Sequence, residues 1–488
     1  MIDESFESIR LAGEKRARQL GLTLLVHILI VTGVTPFASF ASCGVMGKII
    51  VFLIGAPLLA QEPMSLQEAV QLALRGNHAI TAASESAQAA AARVDQARGA
   101  RLPKLNYSES FARSDNPVFV FGSLLTQHQF GESNFAVGPL NRPDFLNNFQ
   151  SQLTVDQTLY DGGQARRAVK SADLGRQLTG EEARRVEMET IASVARAYYG
   201  AVLAAESLKT AEQAVRSAEA DLRRAETVRN AGMSTDVDVL SIRVHLAGVT
   251  EQRIRRAADL DVARATLNDA LGLALDAPHS LTTALAPAAI PDLGLDGLER
   301  DATEQRPEMR QARLSASLAQ TQSENARSSL LPEVGFRAVF EADREQFIRR
   351  GGANWLTAVT LRWNLFNGLT DKARIAEASH LVSRATADAE RTDSAVRLQV
   401  RRVFADLRAA EQRIEVAKAS VAEAEESLRI TQNRYEAGMS NVTDLLRTET
   451  AVLESRTRYL AAVHDQRVAA TILEFAAGKL TASSEVLN

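Results

Sequence analysis

The chain has 488 residues, enough for two or three ordinary domains. Only 5% of them are aromatic and the formal net charge is −4, so the composition indicates neither a thick globular core nor a surface for nucleic acid or anionic lipid. The single cysteine, Cys43, excludes an internal disulfide and a cysteine-based metal site.

The first 60 residues have the pattern of a targeting segment. Two apolar runs, over 20–34 and 49–60, are each shorter than the roughly 18 residues that a membrane-spanning helix needs. The second run ends at Ala60, which favours a signal peptide cleaved there and a true translation start at Met46. The alternative is a lipoprotein signal that ends at Cys43, whose thiol would be acylated. Both patterns predict export from the cytoplasm.

An internal duplication organises the rest of the chain. The segment Arg229–Ser234 recurs as Tyr435–Ser440, and Leu159–Gly162 recurs as Leu365–Gly368, both at an offset of 206 residues. We therefore expect two copies of one unit with a linker between them and a short tail. The expected ranges are 61–275 for the first repeat, 276–306 for the linker, 307–480 for the second repeat and 481–488 for the tail.

Each repeat is predicted to run as a helix, two strands, a long helix, a tight turn and a return helix. Alternation of apolar and polar residues predicts the strands, and their expected ranges are 104–117 and 148–160, then 333–345 and 354–367. Gly162, Gly163 and Gly368 are expected to end strands and open the long helices. Residues 116–147, with 23 more residues than their counterpart, read as an extended loop rich in glycine and proline.

The long helices follow a seven-residue repeat. No proline interrupts Gln164 to Ala231, a stretch roughly 100 Å long as a helix. Apolar residues recur every seven positions in both copies, at Val194, Ala201, Leu208, Val215 and Leu222, and at Val400, Leu407, Ile414, Val421 and Leu428. Such heptads predict helices packed along a long left-handed seam.

The turns at 231–234 and 437–440 are predicted to close two helical hairpins. Gly232 and Gly438 suit the left-handed residue after a helix, and Ser234 and Ser440 suit the N-cap of the next helix. Asp238 and Asp444 follow one turn into the return helices. The simplest interpretation of these two carboxylates is that they complement the helix dipole.

Four strands cannot close a barrel, and an open sheet edge cannot face lipid. If the strands lie in a membrane, three chains would supply the twelve strands of an ordinary barrel with a pore. Trp355 and Trp363 lie on the apolar row eight residues apart, which is roughly 20 Å along a tilted strand and close to the spacing of two interfacial aromatic girdles. The alternative is a half-buried soluble sheet with the tryptophans in its core.

This duplicated order of elements resembles the TolC family of outer membrane factors. The resemblance is carried by Gln157–Gly163 with Trp363–Gly368, and by the two Ala-Gly-Met-Ser turns with the Asp-Val-Leu and Asp-Leu-Leu that follow them. It implies an α+β membrane protein: a long α-helical periplasmic barrel plus a transmembrane antiparallel β-barrel shared between three protomers. It also implies a homotrimer in outer-membrane lipid that docks a periplasmic adaptor and an inner-membrane transporter of the RND, ABC or MFS type.

The resemblance also implies roles for individual residues. The hairpin tips would meet the adaptor, and their residues are Gly232, Met233, Ser234, Gly438, Met439 and Ser440. Asp444, Asp238 and Tyr435 would form a periplasmic gate. The chain departs from the family at Ser440, where members carry an arginine, and at Arg447, where they carry a second acid. The long segment 116–147 would lie at the outer mouth of the barrel.

The function expected from these features is a passive conduit of a tripartite efflux or type I secretion system in the outer membrane. The seven histidines are scattered, and no phosphate-binding loop or nucleophile elbow is present. The sequence therefore predicts no catalytic residue, no metal and no cofactor, and no nucleic-acid partner. The alternative is a periplasmic coiled-coil scaffold or adaptor. The transported substrate is not encoded in any recognisable motif.

Overall fold

The computed structural model describes residues 62–232, 234–288, 294–349 and 351–487. The predicted targeting segment, with Cys43 and Met46, lies outside the described residues, as does the turn residue Met233. The described part is dominated by helices, with one four-stranded sheet and one two-stranded sheet.

The first repeat contains β1 (Glu62–Met64), α1 (Leu66–Gly76), α2 (His78–Gly99), β2 (Lys104–Ser114), α3 (Pro117–Thr126), α4 (Val137–Asn141), β3 (Leu146–Tyr160), α5 (Gln164–Asn230) and α6 (Asp236–Leu271). The linker region contains β4 (His279–Leu281) and α7 (Leu295–Gln305). The second repeat contains α8 (Pro307–Ser328), β5 (Glu333–Arg344), β6 (Gly352–Arg362), α9 (Thr370–Glu436) and α10 (Val442–Ala476). Short 3-10 turns lie at Glu132–Phe135 and Glu485–Leu487.

The main sheet is antiparallel, with strand order β2-β3-β5-β6. The register places Tyr107, Leu153, Phe340 and Trp355 in one row across all four strands. Because successive side chains alternate faces, the next row lies on the opposite face, and it contains Ser108, Gln152, Glu341 and Asn354. The sheet therefore has an apolar face and a polar face.

Two strands end three or more residues earlier than the sequence predicts. The strand expected to reach residue 367 ends at Arg362, whose partner is Glu333, the first residue of β5. The residue before Glu333 is a proline, which has no backbone N–H to extend the ladder. Trp363 therefore lies one residue beyond the strand. Likewise β2 ends at Ser114 instead of residue 117.

The long loop predicted over 116–147 contains two short helices that the sequence analysis does not predict. Asn116 caps α3 through its side-chain oxygen, which accepts from the N–H groups of Val118 and Phe119. Pro117 occupies the first helical position, where its fixed φ favours a helix. Of the apolar residues in this helix, Val120 is buried, whereas Val118 and Leu125 are exposed.

The long helices α5 and α9 each have 67 residues, about 100 Å of helix. Contacts join the two hairpins side by side, in the order α6, α5, α10 and α9. The shorter helices α2 and α8 pack on the strand-proximal parts of α5 and α9. No helix in the described ranges is apolar over a stretch long enough to cross a bilayer.

The linker region is tied to the middle of α5. There β1 and β4 form a short parallel pair. The hydroxyl of Tyr198, on α5, donates to the carbonyl of Met64 at 2.8 Å and accepts from the N–H of Thr283 at 3.1 Å. Tyr198 is fully buried. The sequence does not predict the pairing of β1 with β4, because each strand is too short to show a periodicity.

Candidate functional site

The two hairpin tips have the left-handed glycines that the sequence predicts. Gly232 has φ of 76° and Gly438 has φ of 72°. At the second tip the N–H of Met439 donates to the carbonyl of Arg434 at 2.8 Å, which closes the end of α9. An added Cβ would meet open space at either glycine. The requirement for glycine is therefore the backbone angle and not steric room.

The caps of the return helices lie one residue later than predicted. Thr235 caps α6 and Asn441 caps α10, so the assignment of Ser234 and Ser440 as N-caps is wrong. The two serines contact the carboxylates instead. Ser234 Oγ donates to Asp238 at 3.0 Å, and Ser440 Oγ lies 3.4 Å from the acceptor Oδ2 of Asp444.

Asp238 completes a capping box with Thr235. Burial would raise the pKa of the Asp238 carboxyl, but hydrogen bonds from the Thr235 hydroxyl, the Thr235 N–H and Ser234 lower that pKa below its ordinary value. The Asp444 carboxylate has fewer such contacts. The N–H of Asp444 donates to Asn441 at 2.8 Å, and within the described residues its carboxylate accepts a hydrogen bond from Ser440 alone. The two equivalent carboxylates thus differ in how firmly each is held.

Tyr435 lies between the hairpins. It packs against a small apolar cluster formed by Ala225, Val239, Ile242 and Val442, with contributions from both repeats. Burial raises the pKa of the Tyr435 hydroxyl, and the negative charges of Asp238 and Asp221 add to that effect. The residue predicted to belong to a gate is therefore a contact between the two repeats near their tips.

Sequence reasoning missed a buried group of titratable residues about ten residues above the tips. Asp221 on α5 is 2% exposed. His245 Nε2 on α6 lies 3.3 Å from a carboxylate oxygen of Glu449 on α10, and Ser217 donates to Glu449 at 3.1 Å. Burial, together with Glu449, raises the pKa of the Asp221 carboxyl to about 7. The group joins one hairpin to the other, and the heptad pattern contains no signal for it.

The strand-to-helix turns also adopt left-handed angles, with φ of 61° at Gly162, 84° at Gly163 and 69° at Gly368. The residue equivalent to Gly163 is Leu369, which has φ of 69° although it carries a side chain. Asp161 fixes the first turn, since its carboxylate accepts from the N–H groups of Gly163 and Ala165 at 2.8 and 2.6 Å. These turns direct each strand into its long helix.

Both tryptophans are on the outside of the chain. Trp355 is 77% exposed on the apolar face, beside Phe340 and Leu153. Trp363 is exposed and donates its ring N–H to the carbonyl of Leu330 at 3.1 Å. A contiguous exposed apolar face of this kind marks a surface that another protein or a membrane covers.

The described residues contain no group of three or more histidine, cysteine or acidic side chains arranged to hold a metal ion.

The chain belongs to the outer membrane efflux protein family, whose model matches residues 69–273 and 298–479. It is 29% identical over 352 residues to Protein CyaE of Bordetella pertussis, a match that covers 70% of this chain and 73% of that protein. It is 24% identical over 455 residues to the alkaline protease secretion protein AprF of Pseudomonas aeruginosa, covering 89% of each. Its fold is similar to that of the Campylobacter jejuni CmeC outer membrane channel, with a TM-score of 0.74 at 16% identity over 86% of this chain and 87% of that one.

Membership of this family confirms the predicted fold class, a helical barrel joined to a β part, and the predicted location in the outer membrane. The family consists of channel proteins and not of enzymes. The alternative of a soluble scaffold or adaptor is thereby set aside.

Proposed function

We propose that three copies of this chain form a passive duct across the periplasm and outer membrane, in a tripartite efflux or type I secretion system. One observation carries the proposal: a sheet with one apolar and one polar face, and two unpaired edges, continues directly into helices of 67 residues. The transporter that supplies energy would be an inner-membrane protein of the RND, ABC or MFS type, reached through a periplasmic adaptor.

The sheet edges support a trimer. Among the described residues, β2 and β6 each have one strand neighbour, so both outer edges expose backbone hydrogen-bonding groups. In hydrocarbon those groups must be paired, and three chains would pair β6 of each with β2 of the next in a twelve-stranded barrel. Trp355 and Trp363 would then lie in lipid-facing girdles, with the polar row facing the lumen.

The internal duplication supports the same assembly. In the second repeat, the return helix α10 lies between α9 and α5. Its counterpart α6 contacts α5, but Val237, Leu240 and Val244 are exposed on its first turns. The helix that the duplication predicts on that free side is α9 of a neighbouring copy. Exposed apolar residues of α9 such as Val416 offer the matching surface.

The same offset of 206 residues identifies one pair of residues that would meet between copies. Within one chain, Ser217 on α5 hydrogen-bonds Glu449 on α10 at 3.1 Å. At the offset of 206 residues, the equivalent pair is Glu423 of one copy and Arg243 of the next. The two side chains have opposite charges, and both are exposed in the single chain.

The hairpin tips are proposed to face the periplasm. There Gly232, Met233, Ser234, Gly438, Met439 and Ser440 would meet the adaptor. Met439 is exposed, in a position that suits such docking. Asp444, with Asp238 and Tyr435, is proposed to line the closed entrance, where three copies of each carboxylate would favour cations.

The test is the mass and conductance of the purified protein. Wild-type protein in mild detergent should sediment as a trimer and open pores in planar bilayers. Glu423→Arg should weaken the trimer, and adding Arg243→Glu should restore part of its stability, because the charge pair between copies is re-formed in reverse although the Arg243–Glu226 pair within each chain is lost. A monodisperse wild-type monomer that keeps its β-sheet signal would overturn the shared barrel.

A further inference from the structure

The connection between β2 and β3 folds back over the sheet. This connection, residues 115–145, is called the lid segment here. Its helix α3 contacts β3, β5 and β6. Ten helical residues measure about 15 Å, and the outer two of four strands lie about 14 Å apart. The helix is therefore long enough to cross the whole sheet of its own chain.

The lid segment lies on the polar face. Gln127, at the end of α3, is 2% exposed, and its Nε2 donates to Asn148 Oδ1 and to the Asn147 carbonyl, both at 2.9 Å. Asn148 Nδ2 in turn donates to Asp343 Oδ1 at 2.6 Å. Asn148 and Asp343 are buried beneath the segment. We call this chain of three side chains, Gln127–Asn148–Asp343, the latch.

A second contact fixes the end of α3 against β6. Asn354 Nδ2 donates to the carbonyl of Thr126 at 3.2 Å. A Cβ on Gly352 would lie only 1.9 Å from that carbonyl oxygen, so the close approach requires glycine there. The counterpart connection, between β5 and β6, is only seven residues long and has no such helix. The close contact between a connecting helix and the sheet is therefore found in the first repeat and not in the second.

The latch is tight but not fully satisfied. Gln127 Oε1 and Asp343 Oδ2 are buried, and neither has a hydrogen-bond partner among the described residues. Each such atom is removed from water without gaining a hydrogen bond, which carries a desolvation cost. This cost is recovered when the segment lifts, so the closed arrangement is poised for release in a way that a fully bonded one is not.

The size of a shared barrel decides what the lid segment would do. Twelve strands about 4.8 Å apart and tilted about 40° give a wall about 12 Å from the axis. A helix is about 10 Å thick with its side chains, so a helix laid on the wall reaches nearly to the axis. Three such helices would meet and leave no continuous opening. Val118 and Leu125, exposed in the single chain, would then pack against the other copies.

We propose that the lid segments of three chains close the outer mouth of the duct, and that release of the latch is a required step of export. The proposal rests on the duct proposed above. It assigns the insertion of the first repeat an exit gate, separate from the entrance at the hairpin tips.

A cysteine inside the barrel reports whether the mouth is closed. Asn106 lies on the polar face, six residues along β2 from the row of the latch, or roughly 20 Å deeper. In intact cells, Asn106→Cys should react slowly with a bulky, membrane-impermeant maleimide. Since Ser114 is paired directly with Leu146, residues 115–145 can be replaced by a two-residue Asn-Gly turn. In that lidless variant the same cysteine should react about tenfold faster or more.

Both variants are first shown to be outer-membrane trimers, which tests the duct independently of the lid. Equal labelling rates with and without the lid segment would overturn the exit gate, whether both were fast or both slow. The lidless chain without Asn106→Cys serves as the background control.

A covalent lock provides the second arm. Gln127→Cys with Asn148→Cys places two thiols at the latch, and a short cleavable bis-thiol reagent should join them. Export should stop after cross-linking and resume after cleavage, while wild-type trimers, treated identically, should export throughout. Undiminished export by fully cross-linked trimers would contradict the proposal.

Discussion

The two repeats share one succession of strands, 67-residue helix, glycine turn and return helix, yet they differ at both ends. At the sheet end, 31 residues join β2 to β3 and form a helix on the polar face, whereas seven residues join β5 to β6. At the tip end, Asp238 is held by a full capping box, whereas Asp444 is more loosely contacted. The duplication thus keeps the long helices and varies the connections.

The long helices and the connections therefore place different requirements on the sequence. The helices pack along a heptad seam in which one small apolar residue can replace another with little loss of stability. The two copies can therefore differ in sequence and still pack. The connections are where a single residue changes a cap, a charge or a covering helix. Variants at equivalent positions of the two repeats therefore separate structural from functional requirements.

The largest effect is expected from a β-branched residue at a tip. Gly438→Val forces φ of about 72° on a side chain that resists it, at a cost of about 2 kcal/mol per protomer. Export should fail while trimers still insert, because the turn lies at the far end of about 100 Å of helix. Export assays and detergent-resistant trimer bands measure the two effects.

Gly180→Val is the matched control, since Gly180 lies inside α5 with open space around it and no left-handed angle. Gly232→Val tests whether both tips carry the same requirement. Loss of trimer insertion in Gly438→Val would assign the turn to folding alone.

The next effect concerns the entrance. Asp444→Asn keeps the size and the capped N–H of Asp444 but removes the charge, so the nearly closed channel should lose cation preference and sensitivity to multivalent cations. Asp238→Asn should change selectivity less and stability more, because Asp238 completes a capping box. Reversal potentials under a salt gradient give the comparison. If Asp444→Asn leaves them unchanged, the carboxylate only complements its helix.

A smaller, pH-dependent effect is expected where the hairpins meet. The raised pKa of Asp221 means that the folded chain holds this proton up to about pH 7, while the unfolded chain releases it near pH 4. Stability from this group is therefore present at low pH and is lost as pH rises through about 7. Glu449 acts in the opposite direction: burial opposes the change, but hydrogen bonds from His245 and Asp221 lower its pKa. Arg224 and Glu436 lie close to the same group.

Asp221→Asn should remove most of this dependence, because the amide resembles the protonated acid. We expect the variant to unfold at a higher temperature than wild type at pH 8, with the gap narrowing at pH 5, as followed by helical circular dichroism. The equivalent residue in the second repeat is Ser427, so Ser427→Asn is the control, whose difference in melting temperature from wild type should not change with pH. A gap that is constant with pH would show that Asp221 does not titrate in this range.

The smallest effect is expected at the strand-to-helix turns. Leu369→Gly places in the second repeat the residue type that the first repeat has at Gly163. It should relieve left-handed strain of about 1–2 kcal/mol, offset by the larger freedom of glycine in the unfolded chain, for a net gain of up to about 1 kcal/mol. Little packing is lost, since Leu369 is 63% exposed. Thermal unfolding of the trimer measures it, and a lower melting temperature would contradict the account.

Much of the fold could be predicted because its signals are long and local. The absence of proline between Gln164 and Ala231 and the heptads predict the long helices, and the alternation of apolar and polar residues predicts the two faces of the sheet. The tip glycines were found because only a positive φ ends those helices. The caps were misplaced by one residue, since Ser-Thr and Ser-Asn offer two adjacent capping side chains and the sequence does not rank them.

What the sequence by itself determined is what depends on neighbours along the chain: two copies of one unit, their heptad helices, their alternating strands and their turns. Tertiary structure alone decided which distant groups meet. It brought Asp221 to Glu449 across two hairpins, paired β1 with β4, and seated Gln127 on Asn148 and Asp343. Those contacts depend on the three-dimensional packing of segments up to more than 200 residues apart. These contacts cannot be predicted from sequence periodicity, because each involves only one residue from each segment.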